Sequence, residues 1–209
     1  MGANFINTQF NLWYYGFPAP AIEAILSLSQ NYPWVSTTWV SPRKTKLGDF
    51  RPAGAEQKFP VITLNKNLET YVALLVWVHE FAHHINWVEN KNRVEAHGPE
   101  WKYHFKRIYH DYFQGVFPQE WNKPLAQYFR NPSAASFSHP ALQPFIMPED
   151  KLGANELRLS KIPDGSRFIF KEREFIREKA LRSFVLCQEK ESGKKYRIRA
   201  NCPVRLKSA

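Results

Sequence analysis

Apolar residues recur at spacings of three and four from Val72 through Leu75 and Val76 to Ala82 and Ile85, with no proline among them. This pattern predicts a helix buried along one face, with Glu69 in its first turn. A second stripe, Trp101, Phe105, Ile108, Tyr109 and Tyr112, predicts another helix. Gly98, Pro99 and Glu100 mark its start: proline suits the first helical position and glutamate favours the positive helix end. Upstream, Ile22, Ile25, Leu26 and Leu28 face inward on a helix opening at Pro20. Residues 34–40 and 59–65 are β-branched and aromatic and read as strands. Between them, residues 43–50 form a basic turn with Gly48, running on towards another strand. Residues 5–16 are aromatic and polar without a clean period, as expected of a packed N-terminal arm.

The pattern changes beyond residue 115. Pro118, Pro124, Pro132, Pro140, Pro144 and Pro148 argue against any long helix, leaving a turn or two around residues 125–130. Phe117, Trp121, Tyr128, Phe129, Phe137 and Phe145 indicate that this connector is packed. From residue 157 the apolar positions alternate, predicting three or four short antiparallel strands, with a hairpin turn at Ser192, Gly193 and Lys194. The expected class is α+β. Its helical part, residues 1–115, carries a small antiparallel sheet; residues 116–150 connect it to a β-rich unit at 151–209.

The chemistry lies in the central helix. His79 and His83 are four residues apart, so their imidazoles stack on one helix face and can converge on one ion. Glu80 falls beside that ion, where a carboxylate can take a proton from water without being a ligand. A catalytic zinc takes three protein ligands, so one more is needed. His97, on a tight corner at the start of the next helix, is the choice; Glu89 and Glu95 compete with it. The metzincin spacing is excluded, because Asn86 and Glu89 stand where it requires glycine and histidine. His84 is one residue off the ligand row and is expected to support the site or face solvent. His104 and His110 are expected to be hydrogen-bonded or exposed, and Tyr103 and Tyr109 are candidates for stabilising an oxyanion.

His79-Glu80-x-x-His83, followed by His97-Gly98-Pro99-Glu100-Trp101, resembles the SprT-like family of zinc metalloproteases, which includes the DNA-protein crosslink protease Spartan. The likeness covers residues 5–115 and takes in Arg43-Lys44-Thr45-Lys46-Leu47-Gly48 and Val61-Ile62-Thr63-Leu64-Asn65. It implies a zincin-like catalytic domain holding one zinc ion on His79, His83 and His97, with Glu80 as the acid/base. In zincin-like enzymes a sheet edge holds extended peptide by strand addition. Val61, Ile62, Thr63, Leu64 and Asn65 are the candidate edge, with an internal strand as their alternative role. Many members carry a C-terminal zinc ribbon of paired cysteines. Here Cys187 and Cys202 stand alone, so the C-terminal unit is expected to resemble a ribbon without its metal.

Charge adds a partner. The chain carries a net +10, and residues 151–209 hold 16 Lys/Arg against 7 Asp/Glu, whereas residues 1–150 are nearly balanced. A basic unit on a neutral one points to a polyanion, with DNA the leading candidate. Arg173, Arg177, Arg182, Tyr196, Arg197 and Arg199 are the candidate contacts. No signal or membrane-spanning run is legible and only two cysteines occur, so the expected compartment is cytoplasmic, with no membrane partner. The expected function is zinc-dependent hydrolysis of peptide bonds in protein substrates, including proteins associated with or crosslinked to DNA. The alternative is a nucleic-acid-associated binding or regulatory protein with a structural or idle zinc site; hydrolysis of a non-peptide amide is a third.

Overall fold

A computed structural model describes residues 16–43, 45–54, 58–133, 139–146, 152–181 and 184–207, so the arm at 5–15, Phe137 and Arg182 lie outside the described residues. The chain is mixed α+β and divides into two units, residues 1–136 and 137–209. In the first, Pro20 stands at the start of α1 (Ala19–Asn31), which buries Ala21, Ile22, Ala24, Ile25 and Leu28. Three short strands follow: β1 (Ser36–Val40), β2 (Gly48–Arg51) and β3 (Val61–Asn65).

Their order is β1, β3, β2, so β3 slides between two strands already laid down. It runs antiparallel to β2 and parallel to β1, pairing Phe50 with Ile62 and Trp39 with Leu64. The sheet is therefore mixed, where antiparallel pairing was expected. The reason is spatial: the loop after β1 skips the central position, and β3 returns in the direction of β1. As the middle strand, β3 has no free edge, which corrects the reading of Val61, Ile62, Thr63, Leu64 and Asn65 as a peptide-binding edge. Their internal role holds instead: Ile62, Thr63, Leu64 and Asn65 are all buried.

The polar members of β3 are satisfied by the basic turn. Arg43 donates from Nε to Asn65 Oδ1 at 2.9 Å and from Nη1 to Thr63 Oγ1 at 3.1 Å, while Asn65 Nδ2 donates to the Lys46 carbonyl at 3.0 Å. Buried polar groups left unpaired would be costly, so this network fixes the turn and sets the position of β2.

The central helix is α2 (Thr70–Asn90), and Glu69 stands just before it, its carboxylate accepting from the Tyr71 and Val72 amides at 3.0 and 3.1 Å. Every residue from Val72 to Ala82 is buried, so the helix is enclosed along its first three turns rather than along one face. Each fully buried aliphatic or aromatic side chain there contributes about 1.5–3 kcal/mol. Trp77 stacks on Phe81 at 4.8 Å and donates to Thr37 Oγ1 at 2.9 Å, tying helix to sheet.

Gly98 caps α3 (Pro99–Ile108), which buries Trp101, His104, Phe105 and Ile108. It widens into a π-helical turn at Tyr109–Phe113. The extra residue per turn brings Phe113 inward while Tyr112 is only partly covered, a shift that a strict 3.6-residue period misses. Residues Gln119–Phe129 then form α4 despite Pro124 inside it, where a turn or two was expected. Proline removes one hydrogen bond, and burial of Trp121, Leu125, Tyr128 and Phe129 outweighs that loss.

The second unit holds a short helical turn, α5 (Gln143–Ile146), and then six strands: β4 (Glu156–Arg158), β5 (Arg167–Phe170), β6 (Arg173–Ala180), β7 (Phe184–Glu189), β8 (Lys195–Arg199) and β9 (Pro203–Leu206). All pairings are antiparallel, in the order β4, β9, β5, β6, β7, β8. The strands additional to those expected are β4 and β9. Leu159, Ile162, Phe168, Phe175, Val185, Ile198 and Val204 form the core together with Cys187, and Cys202 packs against it. Both cysteines are free thiols, and burial pushes Cys187 up to about 11. No described helix is long and apolar enough to cross a membrane.

Candidate metal centre

His79 and His83 project from one face of α2, and His97 comes from the loop that turns into α3. The Gly98 amide donates to the Glu95 carbonyl at 3.1 Å, closing that corner. The three Nε2 atoms form a triangle with sides of 3.2, 2.9 and 3.3 Å. Three nitrogens held about 2.0–2.1 Å from one tetrahedral ion stand about 3.3 Å apart. Three lone-pair positions facing one another cannot all be satisfied by protons, since any tautomer leaves like groups opposed. A cation resolves the conflict, so the residues present fit a metal ion.

Burial favours the neutral, ligating form of each ring. It holds His79 well below the usual histidine range, with the neighbouring His83 and His97 adding to the effect, and lowers His83 to about 3 and His97 less far. Trp101, fully buried, lies against all three: its ring centroid is 4.7 Å from that of His79, 5.3 Å from His83 and 4.7 Å from His97. Its indole Nε1 donates to the His79 carbonyl at 3.4 Å. The sequence marks Trp101 only as a member of the apolar stripe; its contact with every ligand depends on how α3 docks.

Glu80 borders the same cleft and is buried, which pushes its carboxyl up to about 8, the charge of Asp49 adding to the effect. The Phe50 backbone donates a hydrogen bond to it. Gly48 explains how β2 comes so near. A Cβ at this position would overlap Val76 Cγ1 and stand 3.0 Å from Glu80 Oε1. Gly48→Ala is therefore expected to push β2 from the helix, lowering stability by about 1–3 kcal/mol through overpacking. Thermal unfolding measures that loss, and metal analysis should find the ion retained, because no ligand is touched.

The cleft encloses about 570 Å³ and is lined on one side by Gly48, Asp49, Phe50 and Pro52, and on the other by Asn86, Trp87, Lys91 and the loop to His97. Beyond Gly48, the residues of the β2 wall and the Trp87–Lys91 wall carry no motif and are missed by sequence reasoning. The competing ligands stand elsewhere. Glu89 accepts from His104 Nε2 at 3.1 Å, linking α2 to α3, and Glu95 lies at the Gly98 corner. His84 is buried against the sheet, donating from Nε2 to the Pro33 carbonyl at 2.8 Å, and His110 is exposed. Tyr109 stacks on Phe129 and Tyr103 is exposed; neither lines the cleft, which corrects their candidacy as oxyanion donors.

The basic candidates of the second unit separate. Arg177 is buried, its guanidinium held by Asp164 and the Leu159 carbonyl, so it serves the core and is not free for a polyanion. Arg173 is tied to Glu189 and to the Tyr196 hydroxyl. Register places Tyr196 on the face of Cys187, whereas Arg197 and Arg199 lie on the opposite face with Lys195. Arg182 is outside the described residues.

Among the described residues, His79, His83 and His97 form the one group of three or more potential ligands close enough to share an ion. Comparison with curated proteins and with solved structures found no match. The model of the SprT-like family matches residues 26–120, a span that contains every residue of the centre. Over that segment, just under half of its length, the chain is similar to the SprT-like family.

Proposed function

We propose that this protein is a zinc-dependent endopeptidase acting on extended segments of protein substrates. The observation that carries the reading is the convergence of three imidazole nitrogens beside the Glu80 carboxyl in an open cleft. A zinc ion bound there would polarise the scissile carbonyl and acidify a water molecule. Beside that added positive charge the buried Glu80 carboxyl would ionise, take the proton from the attacking water and pass it to the departing amine nitrogen; the C–O bond made by the water replaces the C–N bond that breaks. Hydrogen bonding from Phe50 and the close packing of Gly48 hold Glu80 in place for both transfers. Substrate adds as a strand along the outer edge of β2, the sheet's border beside the cleft, where backbone pairing reads no particular side chain.

The second unit supplies location. Its basic excess favours nucleic acid, with Lys195, Arg197 and Arg199 as the contact face, so DNA-associated or DNA-crosslinked proteins are the proposed substrates. Zinc-loaded protein should degrade an unfolded substrate such as casein, and Glu80→Gln should slow it by about 10²–10⁴-fold. Zinc content of the variant should match wild type. Equal rates for the two proteins would instead favour a nucleic-acid-binding protein with an idle metal site.

A further inference from the structure

Lys91 ends α2 in a backbone conformation that lysine rarely adopts, with φ 55° and ψ −132°. Its amide closes the helix by donating to the Trp87 carbonyl at 2.8 Å. Glycine is the usual residue for such a position and asparagine tolerates positive φ best among the others. Asparagines stand on both sides, at positions 90 and 92, yet lysine occupies the strained one. Strain of this kind persists where the surroundings enforce it and clusters at functional sites. Here the consequence is specific: the Lys91 ammonium lies 3.8 Å from the centre of the Trp87 ring, and both side chains line the cleft.

The remaining charges around the cleft do not cancel this cation. Asp49, on the opposite wall, is engaged by Lys46 at 2.7 Å, Arg51 at 2.9 Å and Arg43 at 4.0 Å, three cations around one carboxylate. Glu89, two residues before Lys91, is turned to His104. The β2 wall thus presents an excess of positive charge, and a ring face beneath the Lys91 ammonium limits the directions from which a partner can approach.

We propose that Lys91, seated on Trp87, is a specificity-determining residue that selects polypeptides with an acidic side chain next to the bond held in the cleft. This rests on the peptidase reading above and adds a substrate class to it. Binding to zinc-loaded Glu80→Gln separates the two, because it needs no turnover. Two fluorescent peptides, identical except for a central Glu or Gln, are titrated by anisotropy at low salt. The Glu peptide should bind roughly tenfold more tightly, a preference weakened by added salt. Adding Lys91→Gln or Lys91→Gly should remove most of the difference, and Lys91→Glu should transfer it to a Lys-containing peptide. Lys91→Gly relieves the backbone and should raise the melting temperature by about 2–4 °C, so its lost selectivity cannot be unfolding. Equal binding of the Glu and Gln peptides, a preference that survives all three substitutions, or no peptide binding at all would overturn the proposal. So would a labelled oligothymidylate whose binding depends on Lys91 while the peptide pair is not distinguished. Casein hydrolysis by wild type, run in parallel, reports separately on the peptidase reading.

Discussion

His97→Ala should empty the metal site while leaving the fold standing. His97 is half-buried on a loop, and its corner is closed by backbone bonding between Gly98 and Glu95, so alanine removes little packing. The change in metal-free stability should stay within about 1 kcal/mol. Metal affinity should fall by more than about 100-fold, beyond what loss of a supporting partner costs, because one of three nitrogens disappears. Wild type should gain a melting-temperature increase on adding zinc, through binding to the folded state alone, and the variant should lose it. Retention of zinc at full stoichiometry by His97→Ala would refute the three-histidine centre.

Trp101→Ala should do the opposite, striking the fold first. The indole is fully buried, stacks on His83 and meets Phe105 at 5.0 Å, so truncation opens a cavity beneath the ligands. Large aromatic-to-alanine changes cost about 3–5 kcal/mol, which chemical denaturation of the metal-free protein would register. The same change removes the hydrogen bond to the His79 carbonyl and the surface that orients all three rings, so zinc affinity should also drop, by about 10–100-fold. Trp101→Phe should recover part of the stability. Should the alanine variant bind zinc as tightly as wild type, Trp101 would be a core residue only and the histidines would be held by other contacts.

Together these variants separate ligand from support, a distinction the sequence blurs. His97 and Trp101 sit four residues apart in one short motif, and only the docking of α3 against α2 shows that one aims at the ion while the other lies behind it. Gly48 has a similar history. Its turn is legible as basic, but its contact with Glu80 depends on Arg43 lashing the turn across β3. In the second unit, alternation predicts strands at the right places, yet charge alone cannot tell Arg177, paired within the core, from Arg197 on the surface.

What the sequence determined by itself was local and periodic: the buried helix, the fourfold spacing of His79 and His83, the cap before Pro99, and the alternating C-terminal strands. These follow from backbone geometry repeated every few residues, which the order of residue types records directly. The order β1, β3, β2, the edge offered by β2, the wall of Trp87 and Lys91, and the fate of each arginine were decided only in three dimensions. They depend on which segments meet after long separations in the chain, where packing and pairing of polar groups choose among arrangements that the local pattern permits equally.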